Sequence, residues 1–254
     1  MEIEHAAPYF ESLGTHLARL AGPGVEVSTF GAKPGTWGEL QPAVASGAPY
    51  LFHHVVKNMF IEAALEAEES GYDALIVGAT TDPGLREARS VVDIPIVSVF
   101  ESSVLVSCTV ARQCGIITPT QEVAHILHIH LDEYLLSGRV ASWQTLERQL
   151  TDKDLNALFS DPTDALIAFL DSGRRAVKDG ADAIIPAEGI LAELVAASDI
   201  REVDGATVID PVGTALVFAE MQVRLAKEAG LHPGRRWYYI RPRSETIQLL
   251  RARK

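Results

Sequence analysis

The sequence predicts an α/β protein built around parallel sheets, and three observations carry that expectation. Short apolar runs of strand length alternate with stretches of helical periodicity along most of the chain, the pattern of βαβ units whose sheet is covered on both faces. Two segments, GYDALIVGAT from Gly71 and GADAIIPAEG from Gly180, align without a gap. Each follows a helical pattern, carries Asp in third place and climbs through an apolar run into small residues. The register sets Ala79 against Glu188. In a chain of two related halves these are mirrored strand tips, one with a carboxylate and one with nothing that can take a proton. Finally, 254 residues that are 47% hydrophobic suffice for a buried core in one large α/β domain or two small ones.

The elements follow in order. Residues 7–21 read as a helix, with Pro8 in its first turn and Leu13, Leu17 and Leu20 at helical spacing. Gly22-Pro23-Gly24 ends it, and residues 25–30 read as a short strand. Residues 33–49 are rich in Gly, Pro and Ala without a period, a long loop of the kind that is often functional. Residues 55–70 form a helix with Gly71 as its C-cap, followed by a buried strand at 74–77. Asp82-Pro83-Gly84 opens a helix to about 91; 94–99 is a strand; Ser102-Ser103 starts a helix to about 113. Residues 114–118 are a strand, 122–136 a helix, and 139–143 a candidate strand. Helix 164–180, strand 183–186, helix 189–198 and strand 206–209 complete the second repeat. Pro211-Val212-Gly213 leads into a long helix to about 230.

Composition excludes several classes. A net charge of −12 argues against nucleic acid. No apolar run approaches the roughly 20 residues of a membrane helix, and the N-terminus has no basic-plus-apolar leader pattern. The two cysteines, Cys108 and Cys114, make neither a disulfide framework nor a CxxC pair, so a soluble, cytoplasmic protein is expected. No G-x-G-x-x-G follows a strand and no P-loop pattern occurs. Arg235, Arg236, Arg241, Arg243, Arg251, Arg253 and Lys254 face only Glu245 in the last stretch. That basic segment is read as packing on the acidic body or on a neighbouring subunit, with an anionic-partner site as the alternative.

The run from Gly71 through Ser103 resembles the aspartate/glutamate racemase superfamily, and its hydantoin racemase-like branch most closely. The resemblance rests on DPGL at 82–85, DIP at 93–95, Glu101-Ser102, GIITP at 115–119, GADAII at 180–185 and DPVG at 210–213, all in the family's order. It covers roughly residues 55–225. It implies two pseudo-symmetric, Rossmann-like four-stranded parallel halves with the active site in the cleft between them, in line with ligand binding beyond the carboxyl ends of parallel strands. The halves are expected at 1–105 plus 215–254 and at 106–214. Family members usually begin with a central strand, of which residues 1–5 offer at most a stub. The start lies upstream or the first half is remodelled. The resemblance also implies a cysteine at each tip, one removing the proton beside a carbonyl and the other reprotonating the opposite face. Here those positions are Ala79 and Glu188. Cys108 and Cys114 lie off the motif and read as structural. The arylmalonate decarboxylase branch, which lacks the first cysteine and is also related to maleate isomerase in this superfamily, has a small residue followed by hydroxyls. Ala79-Thr80-Thr81 is similar to that arrangement, and Glu188-Gly189 stands where its cysteine and glycine do.

The candidate catalytic residues are therefore Glu188, with His53 and His54 as a second proton carrier. Glu188 stands at a strand-to-helix junction, where a carboxylate serves either as an acid/base or as a first-turn residue facing the helix dipole. Thr80 and Thr81 make an anion cradle or an N-cap. Asp82 reads as the cap of the next helix more readily than as a catalyst. Ser102 and Ser103 cap their helix or line the cleft. Ala79, Thr118, Pro119 and Gly189 complete the expected substrate contacts, with the Gly189 backbone holding an anionic group. His125, His128 and His130 with Glu122 and Asp132 form the densest ligand-like cluster, but no metal or other cofactor is assigned. The expected function is one-base proton transfer next to a carboxylate or a cyclic amide carbonyl, through racemisation, isomerisation or decarboxylation of an amino-acid-derived or hydantoin-like substrate. The expected partners are that small substrate and further copies of the chain in a homo-oligomer, with no nucleic acid or membrane. The alternatives are a metal-dependent hydrolase using histidines with Glu188, and a non-catalytic protein that binds small carboxylates.

Overall fold

Apolar residues at helical spacing fold the first described stretch as expected. In the computed structural model, which describes residues 2–36, 49–147 and 155–251, helix α1 spans Ala7–Leu20. Pro8 sits in its first turn, Leu17 is buried, and Leu13 packs against a core cluster of Ala6, Tyr9, Leu158, Ala165, Ile190 and Leu194. It is preceded by a 3-10 turn over Ile3–Ala6. The chain continues through α2 (Pro49–Glu69), β1 (Leu75–Val77), α3 (Leu85–Val91), β2 (Ile96–Ser98) and α4 (Val99–Val110). Next come β3 (Cys114–Thr118), α5 (Gln121–Tyr134), β4 (Val140–Thr145), α6 (Leu155–Ser160) and α7 (Thr163–Lys178). The last elements are β5 (Ala183–Pro186), α8 (Gly189–Ala197), β6 (Glu202–Val203), β7 (Ala206–Val208), α9 (Pro211–Ala229) and α10 (Ser244–Arg251).

Two sheets result. The larger has the order β4-β3-β5-β7-β6, parallel throughout except for the final β6–β7 hairpin, and the smaller pairs β1 with β2 in parallel. The alternation of strand side chains feeds both faces of the larger sheet. Ile116 and Ile185 enter a cluster with Phe100, Leu127 and Leu131, while Ile117 and Ile184 enter one with Phe169, Ala176 and Leu191. Burying each such side chain contributes about 1.5–3 kcal/mol, which explains why these strands are continuous apolar runs. Strand counts depart from the expected four and four. Among the described residues the larger sheet has five strands and the smaller has two.

The repeat persists in three dimensions. Gly71 and Gly180 both adopt left-handed backbone (φ 82° and 103°) as they turn the preceding helix toward its strand, a conformation that costs little without a Cβ. Leu75 pairs with Ile96 as its counterpart Ile184 pairs with Val208. Two residues further on, Ser98 and Asp210 are also counterparts. Each caps its helix: Ser98 accepts from Phe100 N and Glu101 N, and Asp210 accepts from Gly213 N. The capped helices, α4 and α9, pack on each other.

Several expectations are corrected. Residues 25–30 form no strand; they are exposed, and among the described residues the only pairing nearby is a single parallel bridge between Glu2 and Ala32. Val25, Val27 and Phe30 are left facing solvent, so no sheet face rewards pairing there. Of the expected loop at 33–49, residues 37–48 lie outside the described residues. Helix α4 begins at Val99, capped by Ser98; Ser102 and Ser103 therefore lie inside it, and the Ser103 hydroxyl donates to Val99 O at 2.6 Å. Helix α3 begins at Leu85 after Gly84, and no side chain caps it. The basic C-terminal segment, by contrast, packs on the acidic body as one of its readings expected: Arg235 and Arg241 both grip Asp93, Arg241 also reaches Glu68, and Arg251 pairs with Glu62 and Glu69. Those arginines therefore give no reason to expect a subunit contact. Helices α6 and α10 and strand β6 were not foreseen.

Candidate functional site

The two mirrored strand tips meet. Thr80, just past β1, donates its hydroxyl to Ala187 O beyond β5 at 3.2 Å. A β-carbon placed on Gly189 would lie 3.9 Å from Gly78 O. Beside this contact Glu188 is half-buried and is the N-cap residue of α8 (φ −155°, ψ 136°), its Oε2 accepting from Leu191 N at 2.8 Å. Of the two roles open in the sequence, the structural one is seen: the carboxylate caps the helix, and it does so at the tip of the strand. A backbone N–H and the helix N-terminus both favour an anion there. Ala79, half-buried on the other tip, offers no functional group.

Helix α1 covers the second tip. The Tyr9 side chain is 7% exposed, and its hydroxyl lies 3.3 Å from where a Gly189 β-carbon would be. One face further along, His16 bridges two carboxylates: Nδ1 to Glu193 Oε2 and Nε2 to Asp210 Oδ2, both at 2.8 Å. Ser12 donates to the other Glu193 oxygen at 2.6 Å. The hydrogen bonds that the ring donates to Asp210 and then to Glu193 outweigh burial and raise the His16 pKa to about 9. The imidazolium in turn helps to hold Asp210 below the ordinary carboxylate range, against the cost of its burial. Glu193 is fully buried; an unpaired charge there would be costly, and the cation offsets that cost.

Helix α5 covers the first tip in the same manner. It has 14 residues, as α1 has, and His130 is the tenth residue after its N-cap, Thr120, as His16 is the tenth after Ala6. Here the carboxylate in reach is Glu133 of the same helix, its Oε2 3.4 Å from His130 Nδ1 without a hydrogen bond. Neither His130 ring nitrogen has a hydrogen-bond partner among the described residues, and burial first, then the neighbouring His53, lowers its pKa to about 4. The His53 and His130 rings lie 6.0 Å apart, and His53 Nε2 is 2.8 Å from Thr81 O. Burial lowers His53 too.

Asp82 belongs to this cluster and not to a helix cap. Its backbone is left-handed (φ 47°), which turns the carboxyl inward, and Tyr134 of α5 donates to Oδ2 at 2.8 Å. Only 3% exposed, with Oδ1 unpartnered among the described residues, its pKa is raised to about 7. Burial outweighs the hydrogen bonds from Ser98 and Tyr134 and the charge of Arg89, which act the other way.

The remaining sequence candidates are placed as follows. His54 is exposed and stands apart from His53. Thr81 is half-buried and contributes its carbonyl to His53. Ser102 is buried with its hydroxyl unpartnered among the described residues. Thr118 is fully buried, its hydroxyl 3.1 Å from Thr120 O and 3.4 Å from Gln144 O, so it serves the sheet edge; Pro119 is half-buried beside it. Gly189 is half-buried under Tyr9. Glu122, His125 and His128 lie on an exposed face of α5, where His128 stacks on Trp143 at 3.7 Å, and Asp132 accepts from Ser137. Among the described residues no three His, Cys, Asp or Glu side chains converge as metal ligands would, so the hydrolase alternative finds no ligand set there. Burial raises the Cys114 thiol to about 11, and Cys108 donates to Val104 O one turn back; both fit structural roles.

Sequence reasoning missed Tyr9, His16, Tyr134, Glu193 and Asp210 as members of this region. The shared offset of the two histidines within equal helices was a usable signal. Nothing local told which carboxylates they would meet.

Comparison with known proteins bears on the family and the fold. The family model described as Asp/Glu/Hydantoin racemase matches residues 52–219. A hydantoin racemase of Pseudomonas sp. (strain NS671) is 32% identical over 169 residues, 66% of this chain and 65% of that protein, so the match spans just under two thirds of that relative's length. Among solved structures, the allantoin racemase of Klebsiella pneumoniae is 20% identical with a TM-score of 0.70, covering 94% of this chain and 90% of that one. The allantoin racemase of Pseudomonas fluorescens is 23% identical with a TM-score of 0.71, covering 94% and 93%. At these identities the structural likeness establishes the fold.

Proposed function

The chain belongs to the Asp/Glu/hydantoin racemase family, and we propose that it is an isomerase that moves a proton on the carbon next to the carbonyl of a hydantoin-like cyclic amide or a small carboxylate, with Glu188 as its base. The observation that carries this reading is the half-buried Glu188 carboxylate beside the contact of the two tips, with Ala79, which has no proton to move, at the register-equivalent position of the other tip. The names of the similar proteins, hydantoin and allantoin racemases, support the cyclic-amide class over the carboxylate class.

In this reading the Glu188 carboxylate takes the proton from the ring carbon. The C–H electron pair enters the ring as an enolate, with charge on the carbonyl oxygen, and the proton returns from the same carboxyl. Return to the opposite face needs a turn of the intermediate or a second carrier. His53, bonded to Thr81 O, is the candidate, with His130, Lys57 and Glu87 the titratable groups around it. Decarboxylation or isomerisation needs no second carrier and fits the same site.

The test is hydrogen–deuterium exchange at the ring carbon of hydantoins, followed by NMR in heavy water. Replacing Glu188 with Gln is expected to slow exchange by about 10²–10⁴-fold while hydantoin affinity changes little. Exchange at the wild-type rate in that variant sinks the assignment. Binding without exchange in the wild type would leave a small-molecule binding protein instead.

A further inference from the structure

Tyr9 takes no part in the scheme above, yet its placement is hard to explain as packing alone. It lies in the first turn of α1, its ring edge-on to Phe10 at 5.3 Å and tilted against Phe159 at 6.1 Å. The polar end is carried past that apolar cluster to the meeting point of the two strand tips. The hydroxyl lies 3.3 Å from a point on Gly189 that is itself 3.9 Å from Gly78 O. Buried tyrosine hydroxyls normally find a partner. Here the side chain is 7% exposed, and the groups that act on its hydroxyl are the Glu188 and Glu193 carboxylates.

Three features make it a fixed donor. Burial, Glu188 and Glu193 hold the phenol far above its usual range, so it keeps its proton. The His16 bridge to Glu193 on α8 and Asp210 at the start of α9 locks α1 in place over the tip. Glycine at 189 leaves the space that the hydroxyl occupies, where any side chain would press on it.

We propose that Tyr9 contacts the substrate, donating its O–H to the carbonyl oxygen next to the carbon from which Glu188 takes the proton. The mechanistic part rests on the proton-transfer reading of Glu188. As the C–H bond breaks, its electron pair forms the carbon–carbon double bond of the enolate and the carbonyl π pair moves onto oxygen. The proton goes to the Glu188 carboxylate, and the Tyr9 hydrogen bond strengthens on the charged oxygen without transferring its own proton. Removing one such donor from a water-poor site costs about 10²–10³-fold in kcat.

The experiment compares full-length wild type with Tyr9→Phe in the exchange assay and measures calorimetric binding of hydantoin and of barbiturate, a cyclic amide whose ring is an enolate at neutral pH. The expected result is a fall in kcat of about 10²-fold or more with KM little changed, and a larger loss of affinity for barbiturate than for hydantoin. Wild-type kcat together with wild-type barbiturate affinity in the variant overturns the proposal. If the wild type exchanges no proton, the Glu188 reading fails while barbiturate affinity still decides the Tyr9 contact. Should Tyr9→Phe fold poorly, Gly189→Ala keeps the phenol but displaces its hydroxyl. The same selective loss of barbiturate affinity is then expected, and its absence overturns the proposal.

Discussion

Replacing His16 with Leu should weaken the protein in a pH-dependent way. In the wild type the ring pairs with Glu193 and Asp210 at 2.8 Å on each nitrogen, and among the described residues the fully buried Glu193 has only Ser12 as its other side-chain hydrogen-bond partner. The His16 pKa rises from 6.5 to about 9, and at about 1.4 kcal/mol per pKa unit this corresponds to roughly 3 kcal/mol. That agrees with the about 3–5 kcal/mol expected when one member of a buried ion pair is removed. The sign follows from the raised pKa. The contribution is complete below the unfolded value of about 6.5 and is lost as pH rises through about 9, where the folded protein releases its proton. The facing groups are Ser12 on the same helix, Glu193 on α8, Asp210 at the start of α9 and, more remotely, Arg201. Urea denaturation at about pH 6 and about pH 9.5 measures the effect. The gap between wild type and variant should be about 3 kcal/mol at the lower pH and most of it should vanish at the higher. A gap below about 1 kcal/mol at pH 6, or one that does not narrow, refutes the assignment of His16 as the buried cation.

Two further outcomes follow from buried geometry. Because burial raises Asp82 to about 7, the wild type loses stability as pH climbs from the ordinary carboxylate range through 7, since the folded state binds the proton more tightly. Asp82→Asn should remove that slope and match or exceed wild-type stability at about pH 8 in urea denaturation; a destabilised variant with an unchanged slope refutes the buried neutral carboxyl. At Gly115 a β-carbon would lie 2.6 Å from Ala176 Cβ and 3.2 Å from Ala181 Cβ. Gly115→Ala should therefore cost about 1–3 kcal/mol, read as a lowered urea midpoint, whereas a neutral effect would show that α7 can move off the sheet.

Much of the fold was legible because it is local. The runs at 114–118 and 183–186 became strands with those bounds, because a strand buried on both faces reads as a near-continuous run of apolar or small residues. The Gly71 and Gly180 repeats marked two equivalent helix-to-strand turns, and both glycines take positive φ. The strand at 25–30 failed for the complementary reason: alternating apolar residues predict a strand only if a sheet receives them, and here they stay exposed. Asp82 was misread because Asp-Pro-Gly is a sound helix-start pattern, yet the left-handed backbone at Asp82 aims the carboxyl at Tyr134, 52 residues away in sequence.

The sequence by itself determined the α/β class, the repeat, and the identities at the two tips, Ala79 and Glu188. Each depends on residues within one element or on the register between two copies. Only the tertiary structure decided which helices cover those tips. Helix α1 brings Tyr9 and His16 to the second tip, and α5 brings His130 and Tyr134 to the first. The physical reason is that a titratable group takes its character from its neighbours. Two histidines at the same place in equal helices end as a buried cation near 9 and a neutral ring near 4, because one meets Glu193 and Asp210, 177 and 194 residues away, and the other is desolvated beside His53.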